Sequence, residues 1–180
     1  MYIKTLIFAA ITLVFTSFPA FAATPQVHQL RTMTSAPGQS KVAFLVDVAH
    51  WMRAWTDDHG FEACGMIVKR GDAYSVTAYT FGSHVGCRFP KTFRSGWTST
   101  SETIHSHPRH GGRYTNAADC TLSGLPVDTK VWNTTPQSAE NNFSPKDYRS
   151  GFSGYLVGTD GLYYQHGRGT QTRVASLSNP

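Results

Sequence analysis

The chain lacks any long run of basic residues. It has 16 Lys and Arg against 11 Asp and Glu, a formal net charge of +5, and its basic residues are scattered over 180 positions. A nucleic-acid-binding protein typically gathers its positive charge in one run or on one surface. This scatter argues against a nucleic-acid partner. Two explanations of the net positive charge remain: attraction to an anionic cell-wall polymer or membrane surface, and an ordinary contribution to solubility.

The chain also lacks an apolar run long enough to cross a membrane. The run over 5–18 is shorter than the ~20 residues that a spanning helix needs. It follows Lys4 and precedes Pro19-Ala20-Phe21-Ala22, which is the order of a secretory signal peptide with a small-x-small cleavage site. No cysteine follows directly, so we expect no lipid anchor. We predict a signal peptide over 1–22 and a periplasmic or secreted mature protein without a membrane span.

Cysteine is scarce, and the count of three is odd, so one thiol is free or pairs between chains. An exported chain occupies a compartment where disulfides persist. Cys64 lies in an apolar, strand-like run and is expected to be buried as a small hydrophobic residue. Cys87 and Cys120 lie in polar, Gly-rich surroundings. We therefore predict a Cys87–Cys120 disulfide.

The rest of the chain shows no internal repeat and no second domain, and its length suits a single core. Polar residues over 23–40 predict an N-terminal arm. Apolar residues spaced i, i+3, i+4, i+7 over 41–58 predict a helix, with Ser40 as N-cap and Gly60 as its end.

Strand patterns follow this helix and predict an α+β domain over 41–180, with a mixed, twisted sheet flanked by helices. The residues between the predicted strand 97–107 and the predicted helix that starts at Ser144 show neither the period of a helix nor that of a strand. Loops of that length are usually functional or partly disordered, so about 109–142 is treated as an inserted loop. The predicted elements are strands 61–69 and 74–81 around a turn, strand 97–107, a short helix from Ser144, and strands 154–158 and 162–166.

Two histidines in one strand are the most informative chemical feature. A strand places residues i and i+2 on one face, so His105 and His107 should point one way and Ser106 the other. Asp147, arriving from a later segment, can complete two His and one carboxylate around a metal ion. Such a set leaves a position open for water, as catalytic zinc sites do. The alternative is a chance pair of histidines on a half-exposed strand.

Two glutamates could act as a general base beside this site. Glu62 heads an apolar strand, where desolvation raises the pKa of a carboxyl group, and a raised pKa suits a group that takes a proton from water. Glu102 should point away, because it lies on the strand face opposite to His105. The alternative for Glu62 is a strand-end ion pair with an arginine.

The sequence Ser144-Pro145-Lys146-Asp147 has the pattern of a helix N-terminus, with Ser at N-cap, Pro at N1 and Asp at N3. A cap of this kind also fixes the position of the Asp147 carboxylate, as a metal ligand requires. The Ser144 hydroxyl could in addition donate to a bound water or to a developing oxyanion.

Together these motifs resemble the pattern of the JAMM (JAB/MPN-plus) zinc metallopeptidases. The segment 62–67 resembles the Glu-x-Cys-Gly-Ile strand of some deubiquitinating members, and His-Ser-His-Pro at 105–108 and Ser-x-x-Asp at 144–147 follow in the family's order. The stretch 141–161 is similar to bacterial JAB-like domains of uncharacterised function. The resemblance covers roughly 41–167 and implies a single JAB/MPN-like domain.

The resemblance also implies the roles of individual residues. His105, His107 and Asp147 would ligate Zn²⁺, Glu62 would act as general base and then acid, and Ser144 would support the oxyanion. The implied reaction is metal-assisted hydrolysis of a peptide or isopeptide bond. For an exported protein the candidate substrates are peptidoglycan stem peptides, envelope proteins or proteins of a target cell.

Two other functions stay open. A non-catalytic JAB-like binding or toxin-associated module could keep the fold and the zinc without turnover, and the long interval 108–143 departs from the family's spacing and could block a cleft. A cysteine peptidase using Cys64 and His105 is the second alternative. The mid-strand position of Cys64 argues against it, since thiolates are stabilised at helix N-termini.

Overall fold

The computed structural model describes residues 24–109, 111–132, 140–150 and 153–177, and the signal peptide predicted over 1–22 lies outside them. The described residues form nine strands and three helices. In chain order the elements are β1 (His28–Thr34), α1 (Lys41–His59), β2 (Ala63–Arg70), β3 (Ala73–Thr80), β4 (Thr98–Ser106), β5 (Gly112–Tyr114), α2 (Ala117–Ser123), β6 (Lys130–Trp132), α3 (Pro145–Ser150), β7 (Ser153–Val157), β8 (Gly161–Gln165) and β9 (Thr172–Ser176).

Helix α1 forms where the sequence predicts it. The Ser40 side chain accepts a hydrogen bond from the Ala43 amide and so caps the N-terminus. Gly60 ends the helix at a φ of 74°, a left-handed conformation that glycine adopts without steric cost. Residues on one stripe, including Leu45 and Met52, are fully buried against the sheet. Local capping and the apolar period therefore place this helix correctly.

Within the described residues, seven strands form one mixed sheet in the order β1-β3-β2-β4-β7-β8-β9. Strands β4 and β7 are parallel, and the other neighbours are antiparallel. A parallel pair needs a long crossover connection, and here the connection carries β5, α2, β6 and α3. The predicted α+β class and mixed sheet are confirmed.

The N-terminal arm predicted over 23–40 contains a strand of the main sheet. Strand β1 pairs with β3 at the sheet edge, and Leu30 and Met33 pack against the core. The register shifts between Gln29 and Arg31. This bulge places the two inward side chains three residues apart, so the alternation by which a strand is detected is missing. The last strand, β9, was likewise not predicted.

The inserted loop predicted at about 109–142 has structure of its own. Strands β5 and β6 pair as a small separate hairpin, and α2 lies between them in the chain. Asn116 caps α2 in a reciprocal arrangement with Asp119, and Gly124 ends the helix in a left-handed conformation. Residues 110 and 133–139 of this segment lie outside the described residues.

The two faces of the sheet have different roles. Successive strand residues point to opposite faces, so Ala63 and Ile67 of β2 join the core beneath α1, whereas Cys64 and Met66 line a cavity on the other face. Helix α1 packs against β2, β3, β4 and β7. The cavity on this face is also lined by residues of the segments 84–91 and 140–150.

The predicted Cys87–Cys120 disulfide is wrong. Cys64 is bonded to Cys87, with 5.9 Å between their Cα atoms, and Cys120 is the free cysteine of the described residues. Cys64 lies beside Tyr79 of β3, and the Cys87 sulfur is 3.5 Å from the Tyr79 carbonyl oxygen, because the chain after β3 folds back over this face. The apolar neighbours of Cys64 predicted its burial but not the face on which it lies.

The disulfide is consistent with an exported protein. It also removes the thiol that the cysteine-peptidase alternative requires, since Cys64 is bonded and cannot act as a nucleophile. None of the described helices is both long and apolar enough to span a membrane.

Candidate metal centre

Strand β4 delivers two histidines to the cavity face. Cys64 of β2 and Leu156 of β7 flank His105, so this residue lies in the middle of the sheet. Ser106 points to the opposite face, where its hydroxyl is 2.6 Å from the hydroxyl of Thr56 on α1. His107 therefore returns to the cavity side, and both histidines line the cavity. The alternation predicted from the sequence is present.

Ion pairs hold the chain in place where β4 ends. The buried Arg53 donates to the His107 carbonyl oxygen at 2.8 Å and to Asp57 at 2.6 Å. Asp57 also accepts two hydrogen bonds from Arg109, at 2.8 and 3.0 Å. These contacts tie the residues after the strand to α1 and fix the direction in which the second histidine leaves the sheet.

Asp147 is positioned by the cap of α3. The Ser144 hydroxyl donates to Asp147 Oδ2 at 2.6 Å, and the Ser144 amide donates to the same oxygen at 2.8 Å. The Asp147 amide in turn donates to the Ser144 hydroxyl oxygen at 3.3 Å. The predicted N-cap is therefore formed, and the serine side chain restrains the carboxylate directly. A role for this hydroxyl at an oxyanion stays a prediction.

The three predicted ligands converge. Ligand atoms of His105, His107 and Asp147 all lie within 4.8 Å of one another, so the cluster could hold a metal ion. His105 Nε2 is 3.7 Å from Asp147 Oδ2, too far for a hydrogen bond, and it is a buried nitrogen without a hydrogen-bond partner among the described residues. A buried polar atom left unpaired costs roughly 1–3 kcal/mol. Coordination to a cation would satisfy it, so the residues present fit a divalent metal ion.

The charge states of these ligands suit metal binding. Burial lowers the pKa of His105, which favours the neutral imidazole that ligates metals, although Asp147 opposes this shift. Burial by itself would raise the pKa of Asp147, but His105, the hydrogen bonds from Ser144 and His107 hold it below its usual value. His105 therefore favours the form with a free nitrogen lone pair, and Asp147 favours the carboxylate.

Glu62 lies at the edge of the same cavity. Its side chain is buried, with the residue 8% exposed, and its backbone is fixed by hydrogen bonds to Ser83 and Thr80. Burial raises its pKa well above the usual value, and Asp147 adds to this effect while Lys146 opposes it. No ion pair within the described residues includes Glu62. The alternative of a strand-end ion pair with an arginine therefore finds no support.

Glu102 occupies the other face, as the strand period predicts. Its carboxylate forms an ion pair with Lys41, at the N-terminus of α1. The same lysine lies over the ring of Tyr155. Glu102 is thus part of the contact between helix and sheet and has no access to the histidine cluster from its side of the sheet.

The cluster and Glu62 line one cavity of about 500 Å³. The Cys64–Cys87 disulfide forms part of its wall, and Phe143 packs edge-on against His105 at 5.6 Å between ring centroids. Cavities of roughly 300–1,000 Å³ bind small molecules and short chain segments. The arrangement therefore offers a candidate metal ion, a buried carboxylate and space for a ligand in a single place.

Two polar residues of this region are not predicted as site residues by any pattern in the sequence. His84 lines the cavity, and Asp119 of α2 is buried behind it. A capping pattern, Asn116 followed three residues later by Asp119, was the available signal for a structured segment inside the loop. No sequence pattern indicated the contact with His84, which lies far away in the chain.

Comparison with protein-family models, curated proteins and solved structures yields no match for this chain.

Proposed function

We propose that this chain is an exported zinc-dependent metallopeptidase of the JAMM type, built on a JAB/MPN-like domain, which hydrolyses a peptide or isopeptide bond. The observation that carries the proposal is the convergence of His105, His107 and Asp147 in a cavity that Glu62 also lines. Three protein ligands leave one coordination position open, which distinguishes catalytic zinc sites from closed structural ones.

Each residue of the site has a separate role in this proposal. The two histidines and Asp147 would hold the zinc ion, which when bound supplies a Lewis acid that polarises a carbonyl group and lowers the pKa of water. Glu62 takes a proton from the attacking water on its carboxylate and returns it to the leaving amine. Ser144 keeps Asp147 in place through its hydroxyl and amide.

Export narrows the substrate class. The disulfide is consistent with an oxidising compartment, where peptidoglycan stem peptides and envelope proteins are the available amides. Proteins of a neighbouring or host cell are the other candidates for a secreted enzyme. We propose no nucleic-acid partner, because the basic residues are scattered.

Metal content tests the site. Purified mature protein is expected to hold about one zinc ion per chain, and His105→Ala and His107→Ala are each expected to lose it, because two ligands cannot match the affinity of three. His50→Ala, an exposed position on α1, serves as the control. Full zinc occupancy in the double variant of His105 and His107 would refute the site.

Paired glutamate variants test the chemistry. Glu62→Gln keeps the shape of the side chain and all three ligands, so zinc content and melting temperature should hold while hydrolysis falls by ~100- to 10,000-fold. Glu102→Gln on the other face is the control and should leave hydrolysis unchanged. An active Glu62→Gln protein would show that the base is elsewhere. Zinc binding by the unmodified protein without hydrolysis of peptidoglycan, peptides or isopeptides would favour the non-catalytic module.

A further inference from the structure

A third histidine lines the cavity, with a carboxylate behind it. His84 lies in the segment that follows β3, beside Glu62, whose amide donates to the carbonyl oxygen of the neighbouring Ser83 at 2.9 Å. The His84 side chain is 15% exposed and its ring packs at 4.8 Å from that of Phe61. It lines the same cavity as the candidate metal ligands but is not one of their cluster.

Asp119 binds this histidine from inside the inserted loop. Its Oδ2 lies 2.7 Å from His84 Nδ1 and accepts from the Asn116 amide at 3.0 Å. Its Oδ1 accepts from the Ser83 hydroxyl and from the His84 amide, both at 2.7 Å. The carboxylate is fully buried, and four donors occupy its acceptor positions. A further bond joins the Asn116 side chain to the Gly82 carbonyl oxygen at 2.7 Å, so the inserted loop is tied to the cavity wall.

This geometry determines which ring nitrogen of His84 is available to hydrogen-bond a ligand in the cavity. A carboxylate only accepts hydrogen bonds, so the proton on Nδ1 is committed to Asp119. Nε2 is then the nitrogen left for the cavity. It accepts a hydrogen bond when the ring is neutral and donates one when the ring is charged. A carboxylate that holds a histidine in one tautomer and one orientation in this way is typical of imidazoles that act on a substrate.

We infer that His84 is a substrate-contacting residue of the cavity, that Asp119 is its positioning residue, and that Nε2 hydrogen-bonds an amide group of a peptide chain beside the bond to be cut. The inference deepens the proposed function and rests on it for the class of ligand. It also gives the inserted loop a role as a supporting wall of the site.

Two substitutions at His84 separate the two ring nitrogens. Asn places its amide near the position of Nδ1 and keeps a donor for Asp119, but it leaves the cavity without a polar group. Gln reaches the position of Nε2 and keeps the cavity group, but it loses the bond to Asp119. Substrate contact predicts that His84→Gln retains peptide affinity within about threefold, whereas His84→Asn loses about tenfold, the scale of one hydrogen bond. Thermal stability should show the reverse order.

The test uses zinc-loaded protein and two probes, a soluble peptidoglycan stem peptide and an isopeptide-linked peptide. Hydrolysis is measured with Glu62 intact, and binding is measured by calorimetry with Glu62→Gln in every variant. Zinc content and melting temperature report whether each variant is folded. If His84→Asn exceeds His84→Gln in peptide affinity as well as in thermal stability, His84 has only a structural role and the inference is overturned.

The outcomes separate this inference from the proposed function. If the protein hydrolyses the probes and His84→Gln binds them more tightly than His84→Asn, both the peptidase and the His84 contact are supported. If His84→Gln binds the probes more tightly than His84→Asn but the unmodified protein does not hydrolyse them, the His84 contact is supported and the peptidase is refuted. If the protein hydrolyses the probes but His84→Gln binds them no more tightly than His84→Asn, the peptidase is supported and the His84 contact is refuted. A folded, zinc-loaded protein that neither cuts nor binds the probes refutes both.

Discussion

Glu62 and Glu102 are the same residue type on opposite faces of one sheet. Glu62 is buried near Asp147, where burial raises the pKa of its carboxyl group. Glu102 is paired with Lys41 at the start of α1. The difference in chemistry follows from the side of the sheet that each faces, because a strand alternates its side chains. At this scale the surroundings decide whether a carboxyl group is buried with a raised pKa or forms an ion pair between two elements.

Asp119 makes folding stability depend on pH. Burial by itself would raise its pKa, but hydrogen bonds from His84, Asn116 and Ser83 lower it to about 2 from an ordinary value of 3.8. A group whose folded pKa is depressed stabilises the fold above its unfolded pKa and loses that contribution as pH falls through the folded one. We expect roughly 2 kcal/mol of stability to disappear between about pH 4 and pH 2.

Urea unfolding of the wild type and of Asp119→Asn at a series of pH values measures this contribution. The difference between the two proteins should be constant above about pH 5 and should shrink in the acid range, because the amide does not titrate. A difference that is independent of pH would show that the Asp119 carboxylate carries no depressed pKa in the folded protein.

At the scale of elements, α1 and the central strands build the support beneath the site. The buried stripe of α1 packs on the face opposite to the cavity, against β2, which follows Glu62, and against β4, which carries His105 and ends one residue before His107. The hydroxyls of Thr56 and Ser106 join the helix to β4 directly. The positions of the candidate metal ligands therefore depend on how well this helix packs.

Truncation on α1 should show this dependence. Leu45 is fully buried in the core, and Leu45→Ala is expected to lower the free energy of unfolding by about 2–5 kcal/mol, through lost apolar burial and the cavity left behind. Val42 lies on the same helix and is 43% exposed, so Val42→Ala should change stability by less than about 0.5 kcal/mol. Chemical denaturation of both variants measures the contrast, and equal losses of stability would contradict the burial of Leu45 in the core.

At the scale of the whole molecule, one covalent link and the inserted loop support the wall of the cavity. The Cys64–Cys87 disulfide ties the segment after β3 to the centre of the sheet. Asp119 and Asn116 tie the inserted loop to the same segment. The wall of the cavity is thus held both by a covalent bond and by a buried polar network.

Opening the disulfide should destabilise the protein as a whole. The bond closes a sequence separation of 23 residues, for which chain entropy gives about 3 kcal/mol. We expect Cys87→Ala to lose about that amount in urea unfolding, and a reducing agent to lower the wild type to the same level. Cys120→Ala is the control and should retain both the stability and the response to reduction.

Mapping of non-reduced peptides checks the pairing itself. The expected product links the peptides that contain Cys64 and Cys87 and leaves Cys120 available to alkylation. A peptide linking Cys87 to Cys120 would restore the pairing predicted from the sequence and would separate β2 from the cavity wall.

Features that depend on neighbours in the chain follow from the pattern of residue types. The cap at Ser40, the apolar stripe of α1 and the left-handed Gly60 are set by contacts within a few residues. Alternation along β4 placed His105 and His107 on one face, and the cap at Ser144 indicated a fixed carboxylate at Asp147. These signals are local, so a pattern of residue types is enough to predict them.

Which distant segments meet follows from the packing of the folded chain and not from the residue pattern. The partner of Cys64 depends on the path of the chain after β3, and the bond between Asp119 and His84 depends on where α2 packs. Strand β1 joins the sheet despite a bulge that breaks its alternation. Each of these outcomes is set by packing between residues far apart in the chain, which leaves no repeating pattern in the sequence.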